Sequence, residues 1–283
     1  MPTGEITLRD LVAWTDLVSA DDHAPHGPED PLERDVDWVI TARSNAPMLP
    51  TLRGGELVLL PERVVTESAL NLQMLIGELT SQPVAGVVLD TTEPVHSAVP
   101  VLRAPKIGIE LESDLNRMLT TRRGELLRAG ADIERIISTH RTAHTTPAAL
   151  LDNLADHLGY DLAVRTASGG IIVATTTDTP DPAAIEASGW VSRDLPRQRV
   201  LLLGPVTPET HATGRFILSR IADAVHASLD EEASTAHDLE TRTRLINGAL
   251  AIAAVDPIEA SSRIRRAGIP PEAIDRRVRI GEL

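Results

Sequence analysis

Cysteine is absent from the chain, which removes disulfides, thiolate metal ligands and thiol nucleophiles together and gives no support to a secreted disulfide scaffold. Aromatic residues are almost missing as well, with one Phe, one Tyr and three Trp in 283 residues. At 42% hydrophobic content the cores must be aliphatic, and rings on which a base or sugar could stack are scarce. Positive charge is also short: 27 Lys and Arg stand against 41 Asp and Glu, a formal net charge of -14. That field repels phosphate backbones and argues against non-specific nucleic-acid binding by this chain. No run of roughly 18 apolar residues occurs, so no membrane partner is expected. The opening MPTGEITLRDL carries neither a basic leader nor an apolar signal core, and a cytoplasmic location is the expectation.

Catalytic signatures are missing too. GxSxG, a Walker loop, GxGxxG, HExxH and the kinase set do not occur, so the reading is of a protein that is not an enzyme and holds no cofactor. His140 and His144 stand four apart as helical metal pairs do, but without a third ligand they read as a solvated helix end, and no metal is expected. The other histidines, His23 with His26 and His211 with His226 among them, point to no particular chemistry.

What is present is a legible order of elements. Thr7 caps a helix through Leu8, Leu11 and Trp14, with Asp10 in its first turn and one or two further turns expected beyond Trp14. Val36 to Ile40 alternates like a strand, Glu56 to Leu60 is a second strand, Ser68 to Leu79 carries a helical apolar stripe and Val84 to Leu89 is a third strand. Strand, helix, strand implies a parallel crossover, and Lys106 to Ile109 offers one more edge strand. From Ser113 to Ile137 apolar residues recur at helical spacing, predicting one long connecting helix with Gly124 or Gly130 as the point where a kink would fall.

A second unit opens at the Thr146-Pro147 cap, with a helix through Leu158 that stops at Gly159. Leu162–Val164 and Ile171–Val173 flank a glycine-rich hairpin turn, and Trp190-Val191 and Arg199–Leu203 give two more strands. Pro208 to about Ile252 is helical, with one stripe through Ile217, Leu218, Ile221, Val225 and Leu229 and another through Leu239, Leu245, Ile246 and Leu250; Asp256-Pro257 starts a last helix that Gly268 ends. The fold class is therefore α/β: a small parallel or mixed-sheet domain at 1–112, a connecting helix at 113–145, an α+β domain of GAF- or PAS-like order at 146–230 and a helical region at 231–283. Trp14, Trp38 and Trp190 read as core anchors.

Two places invite a ligand. In the turn Arg53-Gly54-Gly55-Glu56 the paired glycines allow backbone N–H groups to converge on an anion while Arg53 supplies a charged fork, although paired glycines before a strand also serve the backbone alone. Arg165, Arg193 and Arg199 lie on or beside strands of the second unit, where they line an anion pocket or face solvent. Arg263, Arg265, Arg266, Arg276, Arg277 and Arg279 form a basic patch near the end of the sequence, read as a solvated face because no helix-turn-helix accompanies it.

The segments Leu8-Arg9-Asp10-Leu11, Leu32 to Ile40, Leu52 to Leu60 and Leu75 to Leu89, in that order, resemble the amino-terminal sensory domain of the PucR-type, purine-catabolism-regulator-like family of bacterial transcription factors. More loosely, the second half is similar to the GAF-like middle region of that family, through Arg244–Leu250 and Arg265–Ile269. The resemblance implies an allosteric module that binds a small metabolite effector, forms a homodimer and regulates purine, amino-acid or related nitrogen genes. Family members continue into a GGDEF-related region and a helix-turn-helix, so DNA would be read only through an output domain that this sequence lacks. The sequence is then a piece of a longer regulator or a stand-alone relative. The alternatives are an enzyme-like α/β protein acting on a small anionic substrate near Arg53 to Glu56 and a structural partner-binding module.

Overall fold

A computed structural model of the chain describes residues 6–20, 30–44, 48–68, 71–143, 145–252 and 255–268. The first unit comprises α1 (Leu8–Trp14), β1 (Val18–Ser19), β2 (Trp38–Thr41), β3 (Glu56–Leu60), α2 (Glu62–Glu67), α3 (Leu72–Thr80), β4 (Val84–Leu89) and β5 (Val101–Arg103). The long α4 (Leu111–Ala143) leads to α5 (Pro147–Leu158), β6 (Asp161–Thr166), β7 (Ile171–Ala174), β8 (Val191–Leu195) and β9 (Arg199–Gly204); α6 (His211–Ile252) and α7 (Pro257–Arg266) follow. The molecule is mixed α/β, with one mixed sheet and one antiparallel sheet.

The first sheet runs β1-β5-β4-β3-β2, with β2 to β5 parallel and β1 antiparallel on its edge. β3 and β4 are buried along their whole length, as unbroken apolar runs require when both faces of a sheet are covered. Strand parity divides the side chains: Leu57, Leu59 and Val88 pack with α1 and α4 on one face, while Val58, Leu60, Val87 and Leu89 pack on α3. Each such side chain contributes about 1.5–3 kcal/mol through burial. Asn71 sets the start of α3, its side chain accepting from the Met74 amide at 2.8 Å.

The second sheet is antiparallel in the order β7-β6-β9-β8. Leu162, Val164, Leu201 and Leu203 face a layer made by α5, α6 and the distal half of α4, whereas Ala163 and Leu202 pack beneath Trp190 on the other face. The Thr146 cap and the left-handed Gly159 stop of α5 stand where the sequence placed them, as do the β6–β7 hairpin and the Asp256 cap of α7.

α4 belongs to both cores. Its Leu115, Leu119 and Leu126 lie in the first and its Ile133 and Ile137 in the second. The helix is continuous through Gly124 and Gly130 for 33 residues, about 50 Å at 1.5 Å per residue. Gly130 serves packing: a Cβ there would stand 3.2 Å from the ring of Phe216 on α6.

α4 also closes the open edge of the first sheet. Asn116 accepts from the Val39 amide at 2.9 Å and donates to the Val39 carbonyl at 2.8 Å, Glu112 accepts from the Thr41 amide at 3.0 Å, and Arg123 donates to the Val36 carbonyl at 2.7 Å. Outward-facing N–H and C=O groups of β2 thus find partners on one helix face, which removes an unpaired strand edge.

Several expectations are corrected. α1 stops at Trp14, because Thr15 turns to extended backbone and its hydroxyl takes the Leu11 carbonyl, and the chain then supplies the unforeseen β1. The strand after β4 is Val101–Arg103, whereas Lys106 to Ile109 forms none: Pro105 follows the strand, and the Ile107 amide donates to Asp90. Trp38 is no core anchor but 47% exposed, since β2 is an edge strand and the ring borders a surface hollow with polar Ser113, Arg117 and Thr120 of α4. Leu239 and Leu250 are exposed on the distal half of α6. His23, His26, His144, Arg276, Arg277 and Arg279 lie outside the described residues.

Asn116→Ala strands the Val39 N–H and C=O groups without their side-chain partner, and a loss of about 2–6 kcal/mol is expected at about 1–3 kcal/mol per unsatisfied group. Urea denaturation measures it, and a change below about 0.5 kcal/mol, the ordinary scatter of surface substitutions, would show that the edge is not held by this residue.

Candidate functional site

The Arg53–Glu56 turn stands at the amino end of β3. Gly54 and Gly55 adopt φ of 108° and 79°, and a Cβ on Gly55 would meet Asp37 at 2.7 Å, so this backbone needs glycine. The amides of Arg53 and Gly54 both donate, each at 2.8 Å, to the carboxylate of Glu56, and the Gly55 amide donates to the Pro83 carbonyl at 3.1 Å. The anion that this nest receives is the chain's own Glu56. A carboxylate three residues after the start of the turn was the available signal.

The three strand arginines do not converge. Arg165 is 5% exposed and donates to the carbonyl and hydroxyl of Thr179 at 3.0 and 2.6 Å, holding the segment after β7. Arg199 bonds Asp230 of α6 at 3.0 Å, sharing that carboxylate with Arg197. Arg165 pairs in register with Val200, and Arg193 with Leu201. Alternation therefore puts Arg165 on the face opposite Arg193 and Arg199.

A cleft of about 650 Å³ opens at the other end of the parallel strands. Its walls are the exit of β2 at Thr41 to Ser44, Pro61 after β3, Arg63 and Glu67 of α2, Ile107 to Ile109, and Glu112 of α4. This is where open α/β sheets bind ligands, beyond the carboxyl ends of the strands. Arg43 and Arg63 are exposed, and among the described residues neither guanidinium has a hydrogen-bonding or ionic partner. Glu112 is committed to the Thr41 amide, which ties the cleft wall to α4. These arginines are 20 positions apart in sequence and come to line one cleft only through the fold.

A second cleft, about 560 Å³, lies on the seam between the cores and is lined by Arg9, Glu33, Trp190, Ser192, His211 and Arg215 among others. Asp10, 1% exposed, accepts from the Thr7 amide at 2.8 Å and from Arg215 of α6 at 2.5 Å. Arg215 also bonds Glu33 at 3.1 Å, and Arg9 bonds Glu33 at 2.6 Å and pairs with Asp30. Trp14 adds a donor to the Glu209 carbonyl at 2.8 Å. This seam is an ion-pair network in which Asp10 Oδ1 and Arg215 Nε stay buried without a partner among the described residues, and Asp10, expected only to complement its helix, is its buried centre.

His140 is a structural residue: its ring bonds Ser228 of α6 at 3.1 Å and Thr145. Burial pushes it down from the ordinary histidine value. Burial and then Arg215 push His211 down, against the opposing pull of Asp10 and Glu33. Among the described residues no three His, Asp or Glu side chains gather as a metal site, and no helix is long and apolar enough to cross a membrane.

Comparison with protein-family models, with curated proteins and with solved structures returns no match.

Arg215→Met leaves the Asp10 carboxylate without its cationic partner, and a loss of about 3–5 kcal/mol is expected from breaking a buried pair. Adding Asp10→Asn should recover part of it, and additive losses in the double-mutant cycle would count against coupling. Because His140 and His211 titrate lower when folded, their contribution to stability is full above the unfolded value near 6.5 and is lost as pH falls through the folded values. Thermal melts should therefore show the midpoint dropping on acidification below about pH 6.5. His140→Gln should flatten that dependence, and an unchanged slope would remove His140 from it.

Proposed function

We propose that the chain is the ligand-sensing and dimerisation module of a PucR-like bacterial transcriptional regulator of purine, amino-acid or related nitrogen metabolism. In this reading it is a cytoplasmic allosteric protein and not an enzyme, its second unit is a GAF-like sensor domain, and DNA is contacted through an output domain outside this sequence. The observation that carries the reading is α4, a single helix that borders the cleft of the first unit and supplies core residues to both. A sensor needs two arrangements that a ligand binds unequally, and a rod shared by two cores is a physical means of making one respond to the other. The exposed Leu239 and Leu250 of α6 are the surface this reading gives to a second copy.

Thermal-shift screening against purines, allantoin-pathway compounds, amino acids and polyamines tests it. Saturable stabilisation without turnover is expected, rising by about 2.7 kcal/mol at a hundredfold excess over Kd. Product formation would replace the sensor with an enzyme. Light scattering should give twice the monomer mass, and a strictly monomeric, ligand-indifferent protein would favour the structural module.

A further inference from the structure

The cleft at the carboxyl ends of β2 and β3 is lined by two arginines whose guanidiniums have no partner among the described residues. Around the first core, Arg9, Arg103, Arg117, Arg122 and Arg123 are all bonded to carboxylates or carbonyls. Arg34 and Arg53 have no side-chain partner among the described residues either, but neither lines this cleft. Arg43 and Arg63 do, from two different elements: the exit of β2 and the first turn of α2. In a chain of net charge -14, two arginines that line one cavity, with no carboxylate on either guanidinium among the described residues, are left able to take an anion from outside. The cleft holds acceptors as well. Glu67, four residues on from Arg63, also lines it, and has no partner among the described residues, whereas Glu112 is held by the Thr41 amide.

We infer that this cleft binds a small carboxylate or phosphate anion between Arg43 and Arg63, and that Glu67 receives a hydroxyl or amino donor from the same molecule. The inference rests on the sensor reading and supplies its site. Arg43 lies two residues beyond Thr41, whose amide is hydrogen-bonded to Glu112, and Val39 is held on both its backbone groups by Asn116. An anion that draws Arg43 and Arg63 together therefore acts on the end of β2 that α4 grips, and α4 carries the change into the second core.

Isothermal titration of the full chain with succinate, L-malate and inorganic phosphate at physiological salt tests the site, and hydrogen exchange at the Thr41 amide tests the coupling. Saturable binding of at least one anion is expected, weakened about tenfold by Arg43→Gln or Arg63→Gln and abolished by the pair, with Arg193→Gln, an exposed arginine on the other sheet, as the unaffected control. Malate should bind more tightly than succinate, a preference lost in Glu67→Gln, and bound anion should slow exchange at Thr41. No saturable binding of any of the three anions, or equal weakening by Arg193→Gln, would overturn the site. If a metabolite from the wider screen stabilises the wild type and the Arg43→Gln/Arg63→Gln protein alike, this inference fails while the sensor reading stands.

Discussion

The packing of α4 into two cores at once is the constraint from which the rest of the architecture follows. Leu115, Leu119 and Leu126 complete the first core and Ile133 and Ile137 the second, so neither sheet has its full apolar cover without this helix. Each buried aliphatic side chain on it contributes about 1.5–3 kcal/mol, and the contributions fall on opposite sides of the seam. Phe216, the sole phenylalanine of the chain, repeats the arrangement in reverse: it sits on α6 yet belongs to the first core, against Gly130. α4, placed in the sequence as a connector, is thereby structural in both units, and the two cores are coupled through van der Waals contact, which tolerates little displacement before it is lost.

The polar contacts across the seam act differently from the apolar ones. Asp10 is almost wholly buried, and a buried carboxylate adds little net stability even when paired, because desolvation offsets the attraction to Arg215. What the pair supplies is position: Arg215 has one place to put its guanidinium, between Asp10 and Glu33, and that fixes where α6 crosses α1. Apolar packing holds the units together, and the ion pairs select one register from those that packing alone would accept.

Elements whose signal is local were legible in the sequence. β3 and β4 end where their apolar runs do, and α5 and α7 begin just after Thr146 and Asp256 because a capping side chain has to lie within a turn of the amides it serves. Features that depend on partners far away were not. β1 and β5 are two and three residues long, too short for periodicity; β5 exists because it pairs along β4, and β1 because it pairs with β5 across more than eighty positions. The sites followed the same division. The glycines before β3 were visible, yet the role of Glu56 as the acceptor for that turn depends on where a side chain folds back. The shared lining of one cleft by Arg43 and Arg63 depends on the parallel pairing that places the ends of β2 and β3 side by side, and the divergence of Arg165 from Arg199 depends on the register between β6 and β9.

The distal half of α6 follows from the same division between local and long-range forces. From Glu231 to Arg244 the helix is exposed on all sides, so its stability does not come from either core. Helix propagation is favourable once a nucleus exists, and the segment through Leu229, clamped in the second core, is that nucleus. Local pairs such as Glu240 with Arg244, together with α7, whose Ala267 carbonyl accepts from Arg242 at 2.7 Å, support the extension. Where α6 points is therefore set in the second core, and that core is completed by α4. The orientation of the exposed helix is thus tied mechanically to the helix that grips the edge strand β2, with Gly130 and Phe216 at their crossing.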